Sequence, residues 1–141
     1  MEAIIGAEYP KKVIPLIDGA RKNIDIVIYD WRWYRDQIAN PVQQLNAAIV
    51  RAAQRGVVVR AVVNAALNLE QLNAVGIKAR VMRDKRTLHT KMILIDGKIL
   101  VIGSHNFTRN AFGHNVEASI AVELGVSDTR FAQFFDNLYN I

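Results

Sequence analysis

An α/β fold, a mixed β-sheet flanked by helices, is the architecture this sequence predicts. Three observations carry that reading. Strand-like and helix-like apolar spacings alternate through the first half of the chain. An Asp96-Gly97 pair then separates two short apolar runs, a strong hairpin signal. A last amphipathic stretch closes the chain. An order of β-α-β-α-β followed by a hairpin, a strand and a helix implies one mixed sheet between helices, with right-handed crossovers in the first part.

The elements follow in order. Val13, Leu16, Ile17 and Ala20 share one face of a helix over Tyr9–Arg21, where Pro15 is expected to kink the helix or delay its start. Ile24–Tyr29 reads as a strand. Asn40 is an N-cap with Pro41 at the first helical position; Leu45, Ala48, Ile49 and Ala52 recur at helical spacing until Gly56. Val57–Val63 is a second, buried strand. Asn68 is placed to cap a short helix over Leu69–Val75, and Ile77–Met82 is a third strand. Thr90–Ile95 and Ile99–Ile102 form the hairpin, and Val116–Val122 a further strand. Ser127 is expected to cap a final helix whose Phe131, Phe134, Phe135 and Leu138 form a core stripe.

Length and composition bound the rest. A chain of 141 residues suits one domain, here residues 1–141, with no repeat, linker or low-complexity segment. At 51% hydrophobic and 22% charged residues it has the balance of a folded protein rather than a disordered one. The absence of cysteine excludes disulfides and cysteine-based zinc sites. The three histidines show no metal-binding spacing, so neither metal nor cofactor is expected. No signal peptide and no apolar run long enough to span a bilayer is visible, so the default expectation is a cytoplasmic protein without integral membrane association. A net charge of +5 and a pI near 9.7 favour anionic partners, nucleic acid ahead of anionic membrane; a solvated basic surface is the plain alternative.

The chemistry concentrates between residues 89 and 117. His89-Thr90-Lys91-Met92-Ile93-Leu94-Ile95-Asp96 has the form H-x-K-x4-D. On a strand His89 and Lys91 project to one face, a nucleophile or base beside a fixed cation. Such a pattern arises by chance in on the order of one per cent of chains this size, so alone it is only moderately specific. It is followed by Gly103-Ser104-His105-Asn106 and by Asn115-Val116-Glu117.

Together these segments resemble the phospholipase D superfamily, in a form carrying one copy of the motif. The resemblance implies a phospholipase D-like fold and a metal-independent phosphodiesterase. It implies that His89 attacks phosphorus, that Lys91 and Asn106 hold the phosphate oxygens, that Ser104 supports the same pocket, and that Glu117 orients the histidine. Asp96 belongs to the catalytic motif but is taken as structural. One histidine cannot attack and donate a proton at the same instant. Single-motif members pair two chains, which implies a homodimer with both His89 rings in one cleft. For Glu117 the alternative is a strand-surface carboxylate.

Other residues are less defined. Trp31, Arg32, Trp33 and Arg35 interleave aromatics with arginines, which suits base stacking with phosphate contact, but equally a membrane interface, a dimer seam or a structural role. Arg83-Asp84-Lys85-Arg86 could rim the cleft or be an exposed loop of mixed charge. His105 is expected to be structural and His114 a surface residue. The leading functional expectation is an endonuclease acting on DNA or RNA. The alternatives are phospholipase D or phosphatidyl-transfer activity on phospholipids, and a nucleic-acid-binding module without turnover.

Overall fold

The computed structural model describes residues 1–141. Its strands are β1 (Glu2–Ile5), β2 (Asn23–Ile28), β3 (Val58–Val63), β4 (Lys78–Val81), β5 (Met92–Ile95), β6 (Ile99–Gly103) and β7 (Ala118–Glu123). They form a single sheet in the order β1-β7-β6-β5-β2-β3-β4. The helices are α1 (Glu8–Asp18), α2 (Pro41–Gln54), α3 (Leu69–Ala74), α4 (Arg109–Gly113) and α5 (Arg130–Tyr139). β2, β3 and β4 are parallel, joined through α2 and α3; every pairing from β2 through β5, β6 and β7 to β1 is antiparallel. This is the mixed, helix-flanked sheet that the sequence predicts.

β2 lies near the middle of the sheet, with helices on both faces. Every residue from Ile24 to Ile28 is buried, so its run is continuously apolar except at Asp25. On one face Ile24, Ile26 and Ile28 join the larger core with Val13 and Ile17 of α1, Leu45 and Ile49 of α2, and Phe112 of α4. On the other, Val27, Val62, Met92, Leu94 and Leu100 pack with Leu88 and with Phe135 and Tyr139 of α5. Buried Asp25 is matched by Arg60, 3.0 Å away, which also reaches Asp136 and lies over the Phe135 and Tyr139 rings. Burial pushes the Asp25 carboxyl up, against the pull of Arg60.

Several sequence expectations change. β1 was not anticipated: four residues before a glycine give too little pattern, yet they pair along the edge with β7. α1 starts ahead of Pro15 and runs through it, ending at Asp18. Asn40 does cap α2, its Oδ1 accepting from the Val42 N–H at 2.9 Å. Asn68 does not cap α3: it has φ +65°, and its Nδ2 donates instead to the Trp31 carbonyl. The last helix begins after Thr129 rather than Ser127, with no side-chain cap. Its aromatic stripe is only partly core. Phe135 is fully buried but Phe134 is 39% exposed, because α5 is alone on its face of the sheet. α4 is new, capped by the Thr108 hydroxyl, which accepts from the Ala111 N–H.

The β5–β6 turn carries positive φ at both Asp96 (54°) and Gly97 (64°), as a type I′ turn requires. The Lys98 N–H closes it onto the Ile95 carbonyl. The Asp96 carboxylate accepts from the backbone N–H groups of Arg21, Lys22 and Asn23 at 2.7 to 3.2 Å. It is therefore committed to the loop that enters β2. His89 lies seven residues away along an extended segment, roughly 20 Å at about 3.3 Å per residue. This corrects the inclusion of Asp96 among catalytic residues and supports its structural role.

Burial works against the ionised Asp96, but the N–H groups of Lys22, Arg21 and Asn23 outweigh it and hold the carboxyl below its usual value. A depressed folded pKa stabilises the fold above the unfolded value, about 3.9, and that contribution is lost as pH falls through the lower folded value. Asp96→Ala should cost on the order of 2 kcal/mol in urea unfolding at pH 7. Asp96→Asn should cost less, because asparagine keeps one acceptor oxygen and tolerates positive φ. Both variants should show a shallower loss of stability below pH 4 than the parent; an unchanged acid limb would exclude the clamp as a contributor.

Candidate active site

The His89 segment leaves the body of the protein just before β5. Leu88 is buried, and its N–H donates to Asn64 Oδ1 at 2.9 Å, pinning the segment to the loop after β3. His89 is exposed and Lys91 half-buried. Lys91 Nζ lies 3.1 Å from both ring nitrogens of His89. An ammonium only donates, so it can bond the ring only at a nitrogen that carries no proton. Tyr29, at the end of β2, supports both groups: its ring is 5.3 Å from the His89 ring and 5.7 Å from Lys91 Nζ. Burial lowers the Lys91 pKa, with the Glu117 charge opposing.

β6 brings the second segment alongside, the Gly103 N–H reaching the Lys91 carbonyl at 3.3 Å. A Cβ at Gly103 would collide with Ser119 and the Ala118 carbonyl, so the close β6–β7 approach requires glycine there. Ser104 Oγ donates to Glu117 Oε1 at 2.6 Å and accepts from the Ala118 N–H at 3.0 Å. Asn115 Nδ2 donates to Glu117 Oε2 at 3.1 Å. Within one chain both Glu117 oxygens thus bond Ser104 and Asn115, and neither bonds His89. Asn106 Oδ1 accepts from the Asp30 N–H at 3.1 Å, which turns its amide so that Nδ2 has no protein acceptor.

An open cleft of about 860 Å³ begins at Asn106 and runs past Arg32, Trp33, Tyr34, Arg109 and His114. It lies at the carboxyl ends of β2 and β3, where open α/β sheets bind ligands. His89, Lys91, Ser104 and Glu117 are not among its lining residues; Asn115, which bonds Glu117, is. No three His, Asp or Glu side chains converge.

The aromatic–arginine cluster divides. Trp31 is 3% exposed; its Nε1 donates to buried Asn46 and its ring meets the edge of Phe107, so it has no face to offer a base. That corrects its assignment to substrate binding. Arg32 lines the cleft but pairs with Asp30 at 2.8 Å. Trp33 lines the cleft while resting on the core. Arg35 donates to Gln71 and borders a different hollow, beside α2. Arg86 pairs with Asp84 in an exposed loop.

His105 is buried, as its position opposite Ser104 and Asn106 suggests. Its Nε2 faces the Gly6 carbonyl at 2.9 Å, so the proton sits there, and Nδ1 meets the Ser119 hydroxyl at 2.7 Å. Burial lowers its pKa. Sequence reasoning missed Tyr29, Asn64 and the role of Asn115. Only Asn115, two residues from Glu117 and so on the same side of an extended chain, had a visible signal.

The fold and this constellation are those of a phospholipase D-like domain. The family model described as "Cardiolipin synthase, PLD-like domain" matches residues 13–139, and the chain belongs to that family. Human mitochondrial cardiolipin hydrolase is 32% identical over 127 residues, which cover 86% of this chain and 47% of that protein. The mouse protein of the same name is 35% identical over 98 residues, 65% of this chain and 42% of that one. The chain thus spans less than half the length of these relatives. Among solved structures, Nuc from Salmonella typhimurium, a phospholipase D family member, superposes with a TM-score of 0.81 at 21% identity, covering 99% of this chain and 94% of that one. NucT from Helicobacter pylori gives 0.75 at 19% identity with the same coverages. No helix here is long and apolar enough to cross a membrane.

Gly103→Ala should force β6 away from β7 and lose on the order of 2 kcal/mol of stability. It should also displace Ser104 and Asn106, which follow directly. Unchanged urea unfolding would show that the two strands separate at little cost.

Proposed function

We propose that this protein hydrolyses nucleic-acid phosphodiester bonds as a homodimer, without a metal, through a phosphohistidine at His89. The observation that carries this reading is the exposed His89–Lys91 pair, set beside a polar cleft in a basic protein. In the first step a ring nitrogen of His89 attacks phosphorus, and the bond to the leaving oxygen breaks. His89 of the partner subunit gives that oxygen its proton. In the second step the partner's His89 takes a proton from water, the hydroxide adds to phosphorus, and the P–N bond breaks. Lys91 and the unpaired Asn106 Nδ2 hold the equatorial oxygens. Glu117 holds Ser104 and Asn115 in place and offsets the charge of Lys91.

A phospholipid substrate is the second reading. Two observations favour it: the family and relatives carry cardiolipin in their names. An apolar hollow of about 380 Å³, lined by Met92, Ile102, Phe131 and Phe134, also has Thr90 at its edge, between His89 and Lys91. Against it, only three of the thirteen residues lining the main cleft are hydrophobic.

Purified protein should cleave single- or double-stranded DNA or RNA in the presence of EDTA, and do so faster than it hydrolyses cardiolipin or phosphatidylcholine vesicles. Loss of cleavage with EDTA and its return with Mg²⁺ would overturn the mechanism; faster lipid hydrolysis would establish the second reading. His89→Ala should lower turnover by about 10⁴-fold or more. Mixed dimers of wild-type and His89→Ala chains should be severely impaired, since the nucleophile or the acid is missing in either orientation. Mixed dimers that keep about half the parental rate would refute the shared site.

A further inference from the structure

The main cleft contains more recognition chemistry than one scissile phosphate needs. Asn106 stands at its near edge, and the wall beyond is built from Arg109, His114, Trp33 and Tyr34. Arg32 is already neutralised by Asp30. Arg109 is exposed, and its guanidinium enters none of the ion pairs of the protein. Its backbone is held firmly: it opens α4 after the Thr108 cap, and its N–H meets the Tyr34 hydroxyl at 3.4 Å. An unpaired guanidinium on a fixed backbone, three residues beyond the amide that faces the reacting phosphate, is a ready receptor for a second phosphate. The cleft volume of about 860 Å³ has room for a nucleotide unit between the two.

We propose that this cleft is a subsite for the phosphate adjacent to the scissile one in a nucleic-acid strand, with Arg109 as the group that holds it. The subsite rests on the nuclease reading and deepens it. It makes the enzyme select a polymer, in which every phosphodiester has a charged neighbour, over an isolated diester. His114, exposed on the same wall, offers a ring N–H to the subsite. Trp33 and Tyr34 give the intervening nucleoside an aromatic surface.

The test uses dithymidine monophosphate, which has one cleavable linkage, with or without an added terminal phosphate on its 5′ or 3′ side. For the wild-type protein, a terminal phosphate on one side should raise kcat/KM by about tenfold, the worth of one charge-assisted contact. Arg109→Ala should abolish that advantage, and Arg109→Lys should keep part of it. Because the ratio compares two substrates on one sample, partial unfolding of a variant does not distort it. No advantage in the wild type, or an advantage that survives Arg109→Ala, overturns the subsite alone. A wild-type protein that hydrolyses cardiolipin vesicles and leaves every oligonucleotide intact overturns the nuclease reading and the subsite with it.

Discussion

The Asp96 carboxylate accepts three consecutive backbone N–H groups, from Arg21, Lys22 and Asn23, and the position of the His89 segment depends on that contact. The residues it grips form the entry to β2, and Asp96 itself opens the turn out of β5. The clamp therefore fixes β5 against β2 in the register that pairs Ile24 with Ile95 and Val27 with Met92. A slip by one residue would exchange the two faces of β5, turning Ile93 towards α5 and Met92 towards α1 and α2. It would also move His89 and Lys91 away from Tyr29. The motif's aspartate thus acts on the chemistry from the opposite end of the strand, by setting where the strand stops.

The same economy governs the other half of the site. Gly103 lets β6 and β7 approach closely, and that approach brings Ser104 within reach of Glu117. Behind them His105 joins β6 to β7 through Ser119 and to the start of the chain through Gly6. Alternation along this extended segment thus assigns neighbouring residues opposite tasks: Ser104 and Asn106 face the cleft side while His105 locks the strands together. The edge strand β1, remote from the chemistry in sequence, is tied to it through this buried ring.

How much of this was legible in the sequence depends on how local each signal is. Asn40-Pro41, Asp96-Gly97 and the helical spacing of Leu45, Ala48, Ile49 and Ala52 are short-range patterns, and the structure follows them. β1 was missed because an edge strand of four residues gains its stability from β7, more than a hundred residues away in the chain. Ser127 and Asn68 have the composition of helix caps, but the last helix begins after Thr129, two residues beyond Ser127, and the Asn68 amide is drawn to the Trp31 carbonyl. Phe134 has core spacing but stays partly exposed, because α5 is the only helix on that face. Among the candidate site residues, the family resemblance of the motif segments singled out His89, Lys91, Ser104, Asn106 and Glu117 together. What spacing could not reveal is direction: that Trp31 turns inward to Asn46, or that Glu117 bonds Ser104 and Asn115 rather than the histidine.

That last arrangement bears on the proposed site shared between two chains. A phosphodiester brings a negative charge to a site where Lys91 is the cation at hand and Glu117 already offsets it. In the isolated chain, His89 has Tyr29 and Lys91 as neighbours but no carboxylate to orient its ring or support an imidazolium. In the proposed dimer, two copies about a two-fold axis would double the ammonium groups and the free Asn106 amides around one phosphate, and would bring a second imidazole to act as acid. A carboxylate held rigid by Ser104 and Asn115, with each of its oxygens still able to accept a further bond, is then placed to serve a histidine arriving from outside its own chain. The exposure of His89 is compatible with the shared site proposed above, since a nucleophile completed by a partner would have to stand at the surface of its own subunit.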